Sequence, residues 1–227
     1  MRLRSAGSRA VDAERGIHAC IGRADDGRAW GWLAPQPPEP AEAHDVPEPA
    51  LLAQPAGSSE PDWLEVLALW PAWCVAREAG LEIGSGVVVA GRGPLAGQVL
   101  RLCRVRGALW RAAWDAGPND VELALPAGAR LEAGLARRLP APPDAVVVLG
   151  GGAGALRGAL ALCRGRGTVV AAAAPAERFD LDLYPDAHRR GLRLVALDPL
   201  RPAAPAQWAA DAVRLQRLAA AAVAAGR

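Results

Sequence analysis

The residues with the clearest potential for chemistry lie in the stretch AGRGPLAG, which follows a run of valines. Gly91, Gly93 and Ala96 have the spacing G-x-G-x-x-A. In that pattern the first glycine permits a tight turn, and the second lets a pyrophosphate approach the backbone. The third residue must be small so that helix and strand pack closely. Pro94 suits the first turn of a helix, where its missing N–H costs nothing. The spacing therefore indicates either a phosphate-binding loop or a tight strand–helix turn.

The segment after the glycines has the pattern of an amphipathic helix. Its apolar residues repeat on one face: Leu95, Val99, Leu102 and Cys103. The start of such a helix carries free N–H groups and a partial positive charge, which attract phosphate. Asp115 ends the next predicted strand, 22 residues after Gly93. In a dinucleotide fold an acid at about this distance accepts hydrogen bonds from the adenosine ribose, although aspartate is also a common turn residue. Together the loop and the acid favour dinucleotide binding.

A second glycine cluster lies in VVVLGGGAGALRGALALC. Gly150, Gly152 and Gly154 could also cradle a phosphate. No acid ends the strand that follows, since Glu177 comes only after Pro175. We interpret this cluster as a later strand end, where small residues leave room for the cofactor.

The elements that must position these turns alternate along the second half of the chain. Strands are predicted at 86–90, 109–114, 145–149, 168–173 and 192–197. Helices are predicted at 94–106, near 128–138, at 153–164 and from about 206 to 225. Continuous apolar strands separated by amphipathic helices are typical of a parallel sheet covered on both faces. The predicted fold class is therefore α/β.

The first part of the chain lacks the regular hydrophobic pattern of helices and strands. Prolines are too dense between residues 32 and 63 for a helix or a central strand, so we expect connectors and short edge strands in 1–62. A helix is predicted from Pro61 to Gly80, and Pro71 predicts a kink or a break in it. We accordingly predict two regions, an irregular segment at 1–62 and an α/β domain at 63–227.

Composition limits the classes of function. The chain has 227 residues, 52% of them hydrophobic, so it can bury a sizeable core. A net charge of +2 gives no reason to expect a nucleic acid or an acidic membrane as partner. The N-terminus lacks the apolar run of a signal peptide and no stretch is long enough to span a membrane, so we expect a cytoplasmic protein. All basic residues are arginine, which excludes Schiff-base chemistry on a lysine.

The residue types that bind metals are scattered. Cys20, Cys74, Cys103 and Cys163 form no CxxC pair, so we expect reduced core cysteines and no structural zinc. His18 forms a local pair with Cys20, but no third ligand is near, and we expect a surface histidine and a buried cysteine.

Three further groups of residues have an ordinary structural explanation. Glu65 and Cys74 are expected on the surface and in the core of a helix. His188, Arg189 and Arg190 could form an anion site, but charges just before a strand are usually solvated. Trp70 and Trp73 either pack in the core or line a cleft.

Residues 63–198 resemble the cofactor domain of the medium-chain dehydrogenases/reductases, the group of zinc alcohol, sorbitol and threonine dehydrogenases. The matching segments are WCVAREAGLEIGSGVVVAGRGPLAGQVLRLCRVRGA, PDAVVVLGGGAGALRGALALCRGRGTVVAAA and FDLDLYPDAHRRGLRLVALD, with a fainter match in AEAHDVPEPALLAQPAG. The resemblance implies a Rossmann-type doubly wound sheet. It makes Gly91, Gly93, Pro94, Leu95 and Ala96 the pyrophosphate loop and Asp115 the ribose acid. The N-terminal segment would then be the remnant of a GroES-like catalytic domain.

The sequence also departs from this family. The GroES-like domain normally has roughly 150 residues, whereas at most about 75 precede the cofactor domain here, and the Gly-His-Glu zinc motif and the four-cysteine lobe have no counterpart. The resemblance implies an NAD(P)-dependent oxidoreductase that acts on a small alcohol, aldehyde or enone without zinc. No catalytic residue can be assigned. A catalytically silent dinucleotide-binding or scaffold protein, and a subunit that borrows a partner's catalytic domain, remain alternatives.

Two finer expectations concern the cofactor and the oligomer. The Asp115 carboxylate would accept from the ribose and repel a 2′-phosphate, so we expect NAD(H) to be preferred over NADP(H). LRLVAL, at 192–197, is the last strand and a plausible sheet edge, so we expect a homodimer formed there, as is common in the family. The alanine-rich helix after Pro205 could cover that edge instead.

Overall fold

The computed structural model describes residues 2–12, 17–26, 28–34, 43–46, 51–54, 58–114, 139–150, 152–172, 180–199, 208 and 210–218. The chain forms two compact units, Met1–Pro71 with Leu200–Arg227, and Ala72–Pro199. The division after Pro71 falls within one long helix, which begins at Glu60.

The strands and helices follow one another in this order: β1 (Arg2–Asp12), β2 (Ile17–Arg23), β3 (Ala29–Ala34), β4 (Ala43–Asp45), β5 (Leu52–Ala53), α1 (Glu60–Glu78), β6 (Gly86–Ala90), α2 (Pro94–Val105), β7 (Trp110–Trp114), β8 (Ala145–Val148), α3 (Gly152–Leu162), β9 (Thr168–Ala171), a π-helical turn (Tyr184–His188) and β10 (Arg193–Ala196). Residues 210–218 are helical, within the helix predicted at the C-terminus. The helix predicted near 128–138 lies outside the described residues.

The first unit contains an antiparallel sheet of five strands in the order β4-β1-β2-β3-β5. Its small core consists of Leu3, Cys20, Trp32 and Val46. The edge strands β4 and β5 are short, as expected from the sequence, whereas β1, β2 and β3 are longer than expected. The small and polar residues of β1 show no apolar alternation, so its strand conformation depends on pairing with β2 rather than on a pattern in β1 itself. None of the strands that the structure describes in this unit contains a proline.

Helix α1 begins at a side-chain cap. The Ser59 hydroxyl donates to the Asp62 carboxylate at 2.6 Å and accepts from the Asp62 N–H at 3.3 Å, which satisfies one of the free donors of the first turn. The helix then continues through Pro71 to Glu78. The break predicted there, as one of two outcomes, therefore does not occur. The residues around Pro71 are almost completely buried, and tertiary packing of this kind overrides the local cost of a proline.

The helix approaches strand β3 closely at Gly31. A Cβ added at Gly31 would lie 2.5 Å from Leu67 Cδ1 and 2.9 Å from Trp63 Cζ2. Only glycine leaves room for these two large side chains, both of which are completely buried. This contact fixes the first half of α1 on the antiparallel sheet.

The second unit contains the parallel sheet predicted from the sequence. Its strand order is β10-β9-β8-β6-β7, and every described pair is parallel. The predicted α/β fold class and the Rossmann-type doubly wound sheet are confirmed, and each observed strand lies within the range expected for it. Strands β6 and β8 are buried along their whole length, which explains their unbroken valines.

The order of the strands defines where a ligand would bind. From β6 the chain crosses to β7 on one side, and it later returns to β8 on the other side of β6. Right-handed crossovers then place α2 and α3 on opposite faces of the sheet. The connection reverses between β6 and β8, and open sheets bind ligands in the crevice at the carboxyl ends of such strands. Both glycine turns lie at this switch point.

None of the helices within the described ranges combines the length and apolar character that a membrane crossing requires.

Candidate functional site

The turn between β6 and α2 is held by its two neighbouring strands. The N–H of Gly91 donates to the carbonyl of Trp114, the last residue of β7, at 3.1 Å. On the other side, the N–H of Leu149 donates to the carbonyl of Ala90 at 2.7 Å. These bonds extend both parallel ladders by one residue and fix the position at which the loop leaves the sheet.

Both motif glycines have backbone conformations that other residues rarely adopt. Gly91 has φ +142°, and a Cβ there would lie 2.8 Å from the Cβ of Leu149. Gly93 has φ +86° and ψ −177°, in a region populated essentially by glycine. The fold therefore requires both glycines whether or not a ligand binds, so their presence alone does not identify the loop as a cofactor site.

The start of helix α2 provides the more direct sign of a ligand. Gly93 is the N-cap, no side chain caps the helix, Pro94 occupies the first turn, and that turn contains no acidic residue. The side chains of Leu95 and Ala96 are buried, which fixes the first turn against the sheet. Their N–H groups belong to the first turn and have no intrahelical acceptor. Gly97 donates to Gly93 at 3.3 Å, and a Cβ added at Gly97 would meet nothing within 4 Å. The geometry suits an anion approaching the helix end.

The second glycine turn lies between β8 and α3. Gly150 is half-buried, and Gly152 begins α3 with φ +63°. A Cβ added at Gly152 or Gly154 would meet nothing within 4 Å. This turn borders the same crevice as the first and leaves open space there, as expected from its small residues.

The predicted ribose acid, Asp115, lies outside the described residues. Strand β7 ends at Trp114, one residue before it, and pairs with β6 so that Trp114 lies opposite Ala90. The chain therefore reaches the carboxyl end of the sheet beside the glycine loop immediately before Asp115.

The four cysteines are free and buried, as expected. Burial raises the pKa of the Cys20 and Cys103 thiols to about 12 and that of Cys163 to about 11. The thiols therefore stay protonated and poorly nucleophilic at neutral pH. His18 lies two residues from Cys20 in β2, on the same face of the strand. Within the ranges that the structure describes, no group of three or more histidine, cysteine, aspartate or glutamate side chains could hold a metal.

The cluster before β10 has a structural role that the sequence did not reveal. The Arg190 guanidinium donates to the carbonyls of Leu160 and Cys163, so it caps the C-terminal end of α3. Arg190 is therefore neither a solvated charge nor part of an open anion site. His188 stacks on Tyr184, with ring centroids 5.6 Å apart. His188 and Arg189 are both exposed, as expected from the sequence, and only Arg190 of the three departs from that expectation.

The remaining candidates lie on α1. Trp70 is 1% exposed and contacts Trp208 edge-on, with ring centroids 5.0 Å apart. Trp73 is also buried, and the Arg106 guanidinium lies 5.4 Å from its ring centroid. Cys74 is buried and Glu65 is half-buried, in agreement with a core and a surface position. Core packing accounts for both tryptophans.

No family model matches the chain, and no curated protein matches it in sequence. Solved structures do resemble it. A protein from Sinorhizobium meliloti 1021 bound to NADP, described as a zinc-binding dehydrogenase, has a TM-score of 0.65 at 15% identity, over 96% of this chain and 81% of its own. Alcohol dehydrogenase TADH from Thermus sp. ATN1 has a TM-score of 0.65 at 20% identity, over 89% and 72%. A zinc-binding dehydrogenase (gutB) from Clostridium scindens ATCC 35704 has a TM-score of 0.59 at 21% identity, over 74% and 50%.

These similarities define the class of fold. The fold of the chain is similar to that of these dehydrogenases, and the resemblance identified in the sequence is confirmed at the level of the fold. The chain spans about half the length of the Clostridium protein and 72–81% of the other two.

Proposed function

We propose that the protein binds a nicotinamide dinucleotide at the carboxyl ends of β6 and β8 and acts as an oxidoreductase of the medium-chain dehydrogenase/reductase type. The single observation that carries this proposal is the start of α2. It is an uncapped helix end without a nearby acid, placed at the switch point of a parallel sheet. The N–H groups of Leu95 and Ala96 would hold the pyrophosphate, while Gly91, Gly93 and Pro94 shape the loop.

NAD(H) is the preferred cofactor in this proposal. Trp114 brings the chain beside the loop, and Asp115 follows it directly. The Asp115 carboxylate would accept from the adenosine ribose hydroxyls and would repel the 2′-phosphate of NADP(H). One protein of similar fold is bound to NADP, so in this proposal the preference for NAD(H) depends on the Asp115 carboxylate.

The reaction is hydride transfer between the nicotinamide and a small alcohol, aldehyde or enone in a cytoplasmic protein. The nicotinamide supplies the hydride chemistry when it is bound, and the protein supplies binding and orientation. The chain offers no zinc motif, so we propose a reaction without zinc, and elemental analysis that finds about one zinc per chain would contradict this.

Strand β10 lies at the edge of the parallel sheet, which supports a homodimer formed through that edge. Light scattering at tens of micromolar protein tests the homodimer.

A catalytically silent dinucleotide-binding protein is the second candidate. It is favoured by the first unit, whose small antiparallel sheet has none of the family's zinc motifs in its sequence. Both candidates share the cofactor site and differ only in turnover.

A combined binding and turnover screen separates the two candidates. NAD(H) and NADP(H) are tested by thermal shift, and a panel of alcohols, aldehydes and enones by absorbance of the reduced nicotinamide. A thermal shift with turnover supports the oxidoreductase, whereas a shift with no turnover on any substrate supports the silent protein. No shift with either cofactor at millimolar concentration contradicts both.

A further inference from the structure

We propose that the amino-terminal rim of the parallel sheet is a docking surface for an acidic, amphipathic segment of a partner protein. The amino-terminal rim consists of the turns that precede β6, β7, β9 and β10, together with the last turn of α2. It lies at the opposite end of the sheet from the glycine turns. A strand of five residues is about 16 Å long, so the two surfaces are separate.

Three exposed apolar side chains form one group on this rim. Ile83 is 95% exposed, Leu109 is 77% exposed and Val105 is 55% exposed. The two turns that carry them are hydrogen-bonded to each other, since Gly84 donates to Gly107 at 2.9 Å and Leu109 donates to Ser85 at 2.8 Å. Single exposed apolar residues are ordinary, whereas contiguous exposed apolar patches mark interaction sites, and we interpret these three residues on adjoining turns as part of such a patch.

The charges on the rim are mainly positive. Glu78 is paired with Arg193 at 2.9 Å, and Asp144 with Arg164 at 2.7 Å, so these acids are already neutralised. Three further arginines of the rim are exposed and have no ion pair with a described carboxylate: Arg104, Arg166 and Arg189. Glu82 is the exposed acid next to Ile83. The surplus of arginine favours a partner that carries carboxylates, which guanidinium groups bind in a bidentate manner.

One of these arginines has a strained backbone. Arg166 has φ +63°, and the sequence has glycine on both sides of it, at Gly165 and Gly167. A non-glycine residue in this conformation costs of order 1 kcal/mol, and such residues cluster at functional positions. The turn presents the Arg166 side chain to solvent, in line with a role in binding rather than in packing.

The spacing of the two groups favours an elongated protein segment over a membrane. The apolar group lies below β6 and β7, while Arg166 and Arg189 lie below β9 and β10. Three strand spacings separate β9 from β7, a distance of about 14 Å. A membrane-binding surface would instead surround its apolar side chains with basic ones in a single plane. A segment with apolar residues at one end and acids at the other matches the rim.

The proposal can be tested with a synthetic probe. The probe is a fluorescent 14-residue peptide with four leucines in its first half and four glutamates in its second. Its fluorescence anisotropy is measured with the full chain at low and moderate salt. The double variant Ile83→Ser/Leu109→Ser removes the apolar group, and Arg166→Glu reverses one charge. Val213→Ser, at an exposed apolar residue of the first unit, is the matched control.

We expect binding that weakens with salt, at least tenfold weaker binding by each rim variant, and unchanged binding by Val213→Ser. The rim variants should bind NADH as the wild type does, which separates this proposal from the cofactor site. Equal binding by the rim variants, or equal binding of a peptide in which lysine replaces glutamate, would overturn the proposal. So would a failure of the peptide to bind while vesicles of phosphatidylserine and phosphatidylcholine retain the wild type but not the rim variants.

Discussion

The two glycine turns at the switch point are similar in sequence but differ in how closely neighbouring residues confine their glycines. In the β6–α2 turn, Gly91 is confined by Leu149, and Gly93 holds a conformation that other residues rarely adopt. In the β8–α3 turn, Gly152 also has a positive φ, +63°, but neither Gly152 nor Gly154 is confined by a neighbouring side chain. The comparison teaches that a glycine-rich motif mixes residues needed by the backbone with residues that leave room for a ligand, and only the structure tells them apart.

The largest expected effect is at Gly91. In Gly91→Ala the new Cβ would lie 2.8 Å from Leu149 at a φ of +142°, so we expect a loss of about 2–4 kcal/mol in the free energy of unfolding from strain and overpacking. Urea denaturation measures it. Gly97→Ala is the control, because its Cβ meets nothing, and it should gain stability by up to about 1 kcal/mol. Equal midpoints for the two variants would show that Gly91 is not confined.

The next effect concerns the ribose acid. Asp115→Ser removes one charge-assisted hydrogen bond to the ribose, so we expect NAD(H) binding to weaken roughly ten- to hundredfold. The preference over NADP(H) should narrow or reverse, because the charge that repels the 2′-phosphate is also lost. Calorimetry with both cofactors measures both changes. If NAD(H) and NADP(H) weaken by the same factor, Asp115 does not contact the ribose.

A smaller effect is expected at the exposed arginine between the two glycines. Arg92→Glu places a negative charge beside the phosphate site without changing the backbone, so cofactor affinity should fall by about tenfold or less, and less at high salt. Arg92→Glu tests the charge at the phosphate site alone, whereas Gly93→Val would both block the loop and strain the backbone at φ +86°. Arg104→Glu is the matched control, since Arg104 lies near the other end of α2, about 15 Å from the start of that helix. Equal losses in the two variants would indicate a general charge effect.

The smallest effect is expected in the second turn. Gly154→Ala adds a methyl group in open space near the start of α3, so stability should rise by up to about 1 kcal/mol. Cofactor affinity should stay within twofold of the wild type if the pyrophosphate lies at α2. A tenfold loss of NADH binding in a stable Gly154→Ala protein would move the phosphate site to α3.

The parallel sheet could be predicted from the sequence because its signals are local. Valine runs mark β6 and β8, and Pro94 and the apolar face of α2 mark the helix that follows. The antiparallel sheet of the first unit was underestimated because β1 becomes a strand through its pairing with β2 rather than through its own pattern. The role of Arg190 was also invisible, because its contacts with α3 join residues about thirty positions apart.

The candidate site was predictable only in part. The motif located the loop, and the structure shows its uncapped helix end at the switch point. The sequence could not show that Leu149 confines Gly91, since that contact spans 58 positions between neighbouring strands. A position that seems reserved for a ligand can therefore be required first by packing, and the helix end is the better indicator.

The central claim is that the start of α2 holds the pyrophosphate, and amide chemical shifts test it most directly. The protein is titrated with NADH while the backbone N–H signals of the assigned protein are followed by NMR. The account predicts that Leu95 and Ala96 shift most, with saturation below millimolar cofactor, and that Ile83 and Leu109 on the opposite rim do not move. Saturable shifts confined to Gly150–Gly154, or no shift at millimolar NADH, would contradict it.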